Sequence, residues 1–239
     1  MLQNNERLDD LEYKSLKIIQ NPNGYCFTSD SVLLSNLAKI SRGDKVVDLG
    51  TGSGVIALLV AKKYEPSKVI GVEIQPKLAD MAKRSVALNK LDDIITVINK
   101  PMQDITKVIG GGFDVVLTNP PYEKAINNAE ASEIEICKSE VMVTLKEVIV
   151  TASKLLKYGG MFYMINKARR LADAICLMRE QNIEPKKIYF IQPKQNKDID
   201  TFIVAGRKGG KPSLIIPKPI VVYNDDGTYT DFARRIYNK

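Results

Sequence analysis

Seven short apolar runs are spaced along the chain: "KVVDLG" (45–50), "KVIGVE" (68–73), "IITVI" (94–98), "FDVVL" (113–117), "GMFYMI" (160–165), "KIYFIQ" (187–192) and "TFIVAG" (201–206). Their length and near-continuous hydrophobicity predict strands buried on both faces. Between them, Gly54–Tyr64, Pro76–Lys90, Val141–Lys157 and Arg169–Gln181 carry apolar residues at helical spacing. Pro76 suits a first helical turn, and "YGG" after Leu156 predicts a helix stop. Helices alternating with such strands predict an α/β chain, a seven-stranded and mostly parallel sheet with helices on both faces. No helical pattern separates 187–192 from 201–206, so the last strand is expected to run antiparallel.

Two segments flank this core. In residues 1–44, "LKIIQNPNGYCF" predicts a hairpin turning at Asn-Pro-Asn-Gly, followed by a helix through "SVLLSNLAKI" capped by Ser29 or Asp30. This segment is expected to cover whatever binds at the 45–206 core. Residues 207–239, with the Pro/Gly-punctuated "GGKPSLIIPKPIVVYNDDG", are expected to form extended strands or a tail packed on the core.

Composition narrows the chemistry. The 239 residues are 44% hydrophobic and 26% charged, as in a soluble globular protein large enough for a sizeable core. No stretch approaches the roughly 20 apolar residues of a membrane span, and the polar, acidic start does not read as a signal or transit peptide. A cytoplasmic protein is expected, with Cys26, Cys137 and Cys176 as reduced, buried thiols. The sequence contains no histidine, which removes Ser-His-Asp and Cys-His nucleophiles, histidine bases and His-ligated metals; no metal is expected. The net charge of +7 lies wholly in the last third. Residues 161–239 hold 15 Lys+Arg against 8 Asp+Glu, and residues 1–160 hold 20 of each. A surface for a polyanion such as nucleic acid is the reading this asymmetry favours.

"VVDLGTGSG" puts Gly50, Thr51, Gly52 and Gly54 directly after the first core strand, where backbone amides can approach a ligand at a helix start. Nineteen residues beyond Gly54, Glu73 ends the next strand, placed to take the ribose hydroxyls of a nucleoside. The spacing is G-x-G-x-G rather than the G-x-G-x-x-G of dinucleotide enzymes, and Asp48 precedes it. It resembles motif I of class I S-adenosylmethionine-dependent methyltransferases and implies their Rossmann-like fold. The resemblance implies Asp48 on the methionine ammonium, the Gly50–Gly54 backbone around the methionine, Glu73 with Ile74 at the ribose, and Met102, Gln103 and Asp104 at the adenine. Asp104 could equally cap the short helix "ITKVI".

After the fourth core strand, "NPPY" (Asn119, Pro120, Pro121, Tyr122) resembles motif IV of methyltransferases that modify planar or exocyclic nitrogens. An adenine amine is a poor nucleophile because its lone pair is conjugated into the ring. Acceptors at the Asn119 side-chain oxygen and the Pro120 carbonyl would hold its two N–H groups, freeing the lone pair, while two prolines stiffen the corner. Tyr122 offers a face on which an extruded base can stack.

Several subfamilies share this corner, among them nucleic-acid adenine methyltransferases, ribosomal guanine methyltransferases and release-factor glutamine methyltransferases. From about Leu11 onward, "LKIIQNPNGYCFTSDSVLLSNLA", "SKLLKYGGMFYMI", "RRLADAICLMREQNIEPKKIYFIQPK" and "GGKPSLIIPKPIVVYNDDGTYT" resemble the bacterial tRNA1(Val) adenine-N6 methyltransferases. That resemblance implies tRNA as partner, the adenosine 3′ of the anticodon as target, and a monomer or weak dimer. Two departures stand out: Cys137-Lys138 and Asn166-Lys167 occupy places where the family pattern has a basic-histidine pair. Lys167, Arg169 and Arg170 are the expected phosphate contacts, and residues 123–140 the expected mobile lid. The alternatives are a protein-glutamine or ribosomal RNA amino-methyltransferase, and, from another class, a nucleoside-binding RNA adaptor without catalysis.

Overall fold

A computed structural model describes residues 2–22, 27–120 and 143–237. The expected Tyr122 platform, the rigid Pro121, the lid at 123–140 and the thiols of Cys26 and Cys137 lie outside these residues.

The chain begins with an antiparallel hairpin of β1 (Arg7–Asp10) and β2 (Lys17–Gln20). The separate turn expected at Asn-Pro-Asn-Gly (21–24) runs into residues outside those described, and the β1–β2 turn lies at 11–16. Glu12, Lys14 and Ser15 all adopt positive φ there, a conformation the sequence does not advertise because none is glycine or asparagine. Helix α1 (Ser29–Leu37) follows. Thr28, rather than Ser29 or Asp30, is its N-cap residue, and its side chain makes no capping hydrogen bond.

The core alternates β3 (Lys45–Leu49), α2 (Val55–Tyr64), β4 (Lys68–Glu73), α3 (Pro76–Leu88), β5 (Ile95–Asn99), α4 (Ile105–Ile109) and β6 (Phe113–Thr118). Beyond the undescribed stretch come α5 (Leu145–Leu155), β7 (Leu156–Lys167), α6 (Leu171–Glu180), β8 (Ile183–Gln192) and β9 (Thr201–Lys208). Helix α5 starts on a Thr144–Glu147 capping box. It passes directly into β7 at Leu156, so the "YGG" lies inside a strand instead of in a separate stop. β8 starts at Ile183, ahead of the apolar run. Pro185 is accommodated by a register shift opposite Gly206.

The main sheet has the order β10-β8-β9-β7-β6-β3-β4-β5. It thus has eight strands where seven were expected, because β10 (Ile220–Val221) pairs parallel with β8. β9 is antiparallel to both β7 and β8, as the missing crossover helix predicted. One face is covered by α1, α2 and α7 (Asp231–Tyr237), through Leu33, Leu34, Leu58, Ile203 and Tyr237. The other is covered by α5 and α6, through Ile149, Leu155, Phe162, Met178 and Phe202. Cys176 is exposed, against the buried thiol expected, because Ala174 and Met178 are the α6 residues turned to the core.

From β3 the chain builds outward through β4 and β5, then returns to β3's other side as β6. This reversal makes a crevice between the carboxyl ends of β3 and β6, where ligands bind in open α/β sheets. The register pairs Leu49 with Thr118. Gly50 and Asn119, far apart in sequence, therefore leave the sheet side by side.

Candidate active site

The β3 loop is pinned to β4. The amides of Gly50 and Thr51 both donate to the Val72 carbonyl at 2.9 Å, and the Gly54 amide closes the turn onto Thr51 O at 2.9 Å. Gly50, Gly52 and Gly54 have φ of 76°, 57° and 98°, values a side chain would strain. A Cβ added at Gly50 would meet nothing within 4 Å, so open space adjoins the loop backbone. Behind the loop, a Cβ at Gly71 would come within 3.0 Å of the Thr51 side chain, so the strand must be bare there for the loop to seat.

Two carboxylates are buried against this loop. Asp48 is fully buried, and its Oδ2 accepts the Thr51 hydroxyl at 2.5 Å. Its Oδ1 has no hydrogen-bond partner among the described residues. Burial pushes the Asp48 carboxyl up to about 7, against the favourable Thr51 hydroxyl and the nearby Ala57 backbone amide, and with a further rise from the Glu73 charge. Glu73, 6% exposed, accepts the Gly52 amide on Oε2 and the Gln75 amide on Oε1, each at 2.9 Å. Its carboxyl is also raised by burial, partly offset by backbone amides. A buried carboxyl oxygen without a hydrogen-bond partner among the described residues, beside an open glycine backbone, is chemically incomplete. It fits a ligand that brings a cationic nitrogen to Asp48 and hydroxyl donors to the spare lone pairs of Glu73.

The predicted adenine side is only partly assembled. Met102 is buried, one turn beyond β5. Gln103 Nε2 donates to Glu147 Oε1 at 3.2 Å. Asp104 is the N-cap residue of α4, but its side chain makes no capping bond. It pairs instead with Lys107 at 2.8 Å on the exposed surface, which holds its carboxyl below the usual range. Ile74, half-buried, contributes its carbonyl, which accepts Asn99 Nδ2 at 2.9 Å, and the same amide bonds the Glu73 carbonyl at 2.8 Å.

At the β6 end, Thr118 Oγ1 donates to the Leu49 carbonyl at 2.9 Å, locking the two strand ends together. Asn119 is half-buried and Pro120 buried. Asn119 Nδ2 donates to Ser31 Oγ on α1 at 3.0 Å. Of the three basic residues singled out, Arg169 is exposed at the carboxyl edge of the sheet. Lys167 bonds Asp200 Oδ2 at 2.5 Å. Arg170 is turned inward: it is 8% exposed and its Nε bonds Asp173 at 3.1 Å.

Two further buried polar residues were not among the expected site residues. Gln20, at the end of β2, is fully buried, donates to Ser53 Oγ at 2.5 Å and accepts the Phe27 amide at 3.0 Å. Gln20 thus fastens the amino-terminal segment to the glycine loop, as Ser31 fastens it to Asn119. A polar residue ending an apolar "KII" run was the available signal. Asn166 is buried, with Oδ1 accepting the Lys167 amide and Nδ2 unpartnered among the described residues.

These edge loops on this strand order define a Rossmann-like methyltransferase fold. The crystal structure of a predicted O-methyltransferase from Agrobacterium tumefaciens matches it with a TM-score of 0.71 at 23% identity, over 87% of this chain and 95% of that one. Residues 27–182 match the methyltransferase small domain family, and the chain belongs to that family. A tRNA1(Val) (adenine(37)-N6)-methyltransferase of Porphyromonas gingivalis is 29% identical over 172 residues, 69% of this chain and 68% of the relative. A Methanocaldococcus jannaschii protein, provisionally named a protein N5-glutamine methyltransferase, is 34% identical over 113 residues, 47% of this chain and 54% of the relative. Among the described residues no helix is long and apolar enough to cross a membrane, and no group of three or more Cys, Asp or Glu is arranged to hold a metal.

Proposed function

We propose that this methyltransferase uses S-adenosylmethionine to methylate the N6 amine of an adenine in tRNA, with adenosine 37 of a valine tRNA as the favoured target. The observation that carries the reading is the side-by-side exit of the Gly50 loop and Asn119 from β3 and β6, with the unpartnered Asp48 oxygen beneath the loop. The name of the P. gingivalis relative supports the choice of nucleotide.

Asp48 would hold the methionine ammonium and Glu73 the ribose hydroxyls, with Ile74, Met102, Gln103 and Asp104 on the adenine side. When bound, the cofactor supplies an electrophilic methyl group on a sulfonium. Asn119 Oδ1 and the Pro120 carbonyl accept the two N–H groups of the target amine, which turns its lone pair out of conjugation. The acceptors stand on a strand end fixed by the Thr118–Leu49 bond, so little reorganisation is required during reaction. The roles expected of Pro121 and Tyr122, stiffening and base stacking, fall on residues outside those described. No strong base is needed, since the methylated nitrogen is acidic and loses its proton to water.

Residues 1–44 act as a cover, with Gln20 on the cofactor loop and Ser31 on the acceptor corner. Arg169, exposed on the same edge of the sheet, is the best placed of the three basic candidates to meet RNA phosphate. Work on tRNA sets the protein in the cytoplasm.

Incubation with tritiated cofactor and total tRNA, then digestion to nucleosides, should put the label in N6-methyladenosine. Asn119→Ala should cut the single-turnover rate by about a hundredfold or more while cofactor affinity changes much less. Asn119→Asp keeps an acceptor and should retain partial activity. A wild-type rate in the alanine variant would refute the mechanism. Label in protein glutamine instead of tRNA would favour the reading suggested by the M. jannaschii relative.

A further inference from the structure

Asn119 meets Ser31 across 88 residues of sequence, its Nδ2 donating to Ser31 Oγ at 3.0 Å. Ser31 is 3% exposed and lies in the first turn of α1, just ahead of Leu33 and Leu34 in the core. That helix is held from two other sides. The Tyr64 hydroxyl of α2 lies 3.0 Å from the carbonyls of both Ser35 and Ala38, and Asn36 Nδ2 donates to Ile236 O of α7 at 3.2 Å. The serine hydroxyl therefore stands on a fixed platform, and its bond to Asn119 is the one hydrogen bond it makes among the described residues.

We propose that Ser31 is a positioning residue for Asn119. By accepting from the amide nitrogen, it anchors the amide plane in the orientation that presents the side-chain oxygen to the target amine. The inference rests on the adenine-amine reading above.

The two ends of an asparagine amide are nearly the same shape, so hydrogen-bond partners decide which way it faces. Turned over, Asn119 would present two N–H donors to an amine that also has N–H groups to place, and the amine would lose an acceptor. In the productive orientation Asn119 Nδ2 needs an acceptor of its own, and Ser31 Oγ supplies it. Ser31 thereby acts on the reaction without touching substrate, and the amino-terminal helix becomes part of the acceptor corner.

The test is single-turnover methylation of tRNA by the full chain carrying Ser31→Ala, Ser31→Thr, Asn119→Ala or the first and third together. Ser31→Ala should slow the methyl-transfer step about twofold to tenfold, the scale of one lost hydrogen bond. Its cofactor affinity by calorimetry should stay within about twofold of wild type. Ser31→Thr, which keeps the hydroxyl, should restore most of the rate. The double variant should be no slower than Asn119→Ala alone, because the serine acts only through that residue. A merely structural serine would add its loss to the double variant. Additive losses, or a wild-type rate in Ser31→Ala alongside a collapsed Asn119→Ala, would overturn the proposal and leave the Asn119 mechanism standing. A wild-type rate in Asn119→Ala would overturn both.

Discussion

Replacing Asp48 by asparagine tests whether the buried carboxylate awaits a cationic partner. Asp48 is fully buried, with one oxygen on Thr51 and the other unpartnered among the described residues. Desolvation raises its carboxyl from 3.8 to about 7. The folded protein thus keeps a proton that the unfolded chain releases between about pH 4 and pH 7. Stability from this group is greatest below the unfolded value, falls as pH rises through that window, and stays low above it. The full span is worth about 4 kcal/mol at about 1.4 kcal/mol per pH unit. Between pH 5 and pH 8, wild type should lose about 3 kcal/mol relative to Asp48→Asn, because only the carboxylate titrates. Urea unfolding of both proteins without cofactor, at pH 5, 6, 7 and 8, measures this difference. Comparing the two variants cancels the other carboxylates, except that Glu73 loses a repulsive neighbour in the asparagine variant. At pH 8 the asparagine variant should bind S-adenosylmethionine at least tenfold more weakly, having lost a charge-assisted bond. Parallel pH profiles for the two proteins, or unchanged affinity, would refute the reasoning.

Glu73→Ala should weaken S-adenosylmethionine binding at least tenfold and also lower stability by about 1–3 kcal/mol, since the Gly52 and Gln75 amides lose their acceptor. Calorimetry and thermal unfolding check the two effects. Gly71→Ala should destabilise by about 1–3 kcal/mol, because its Cβ presses on Thr51 and displaces the glycine loop; denaturant unfolding measures it. Arg169→Ala should flatten the salt slope of tRNA binding by about 0.7–0.9 if it holds one phosphate, with cofactor affinity unchanged. Arg170→Ala should act on the melting temperature instead, since that side chain is buried on Asp173.

The amino-acid sequence determined the alternation of buried strands and helices, because apolar runs and helical spacing are local signals that each element carries itself. The antiparallel entry of β9 was legible for the same reason: no crossover helix separates 187–192 from 201–206. The placement of the glycine loop, Asp48, Glu73 and Asn119 at strand ends was also legible, since each lies at a short, fixed distance along the chain from an apolar run. The edges of elements were less so. The "PKPIVVY" stretch reads as extended chain, but which of its residues pair is decided only by the free edge of β8, and the seven-residue α7 is too short to show a period. The β1–β2 turn was not legible, because Glu12, Lys14 and Ser15 carry its left-handed conformations where glycine or asparagine would be expected. Only the tertiary structure could bring Gln20 to Ser53 and Ser31 to Asn119, pairs 33 and 88 residues apart, or turn Arg170 inward while Arg169 faces out. Such contacts depend on how α1, the hairpin and the sheet edge pack together, and side chains of one type can serve surface, core or site until that packing selects among them.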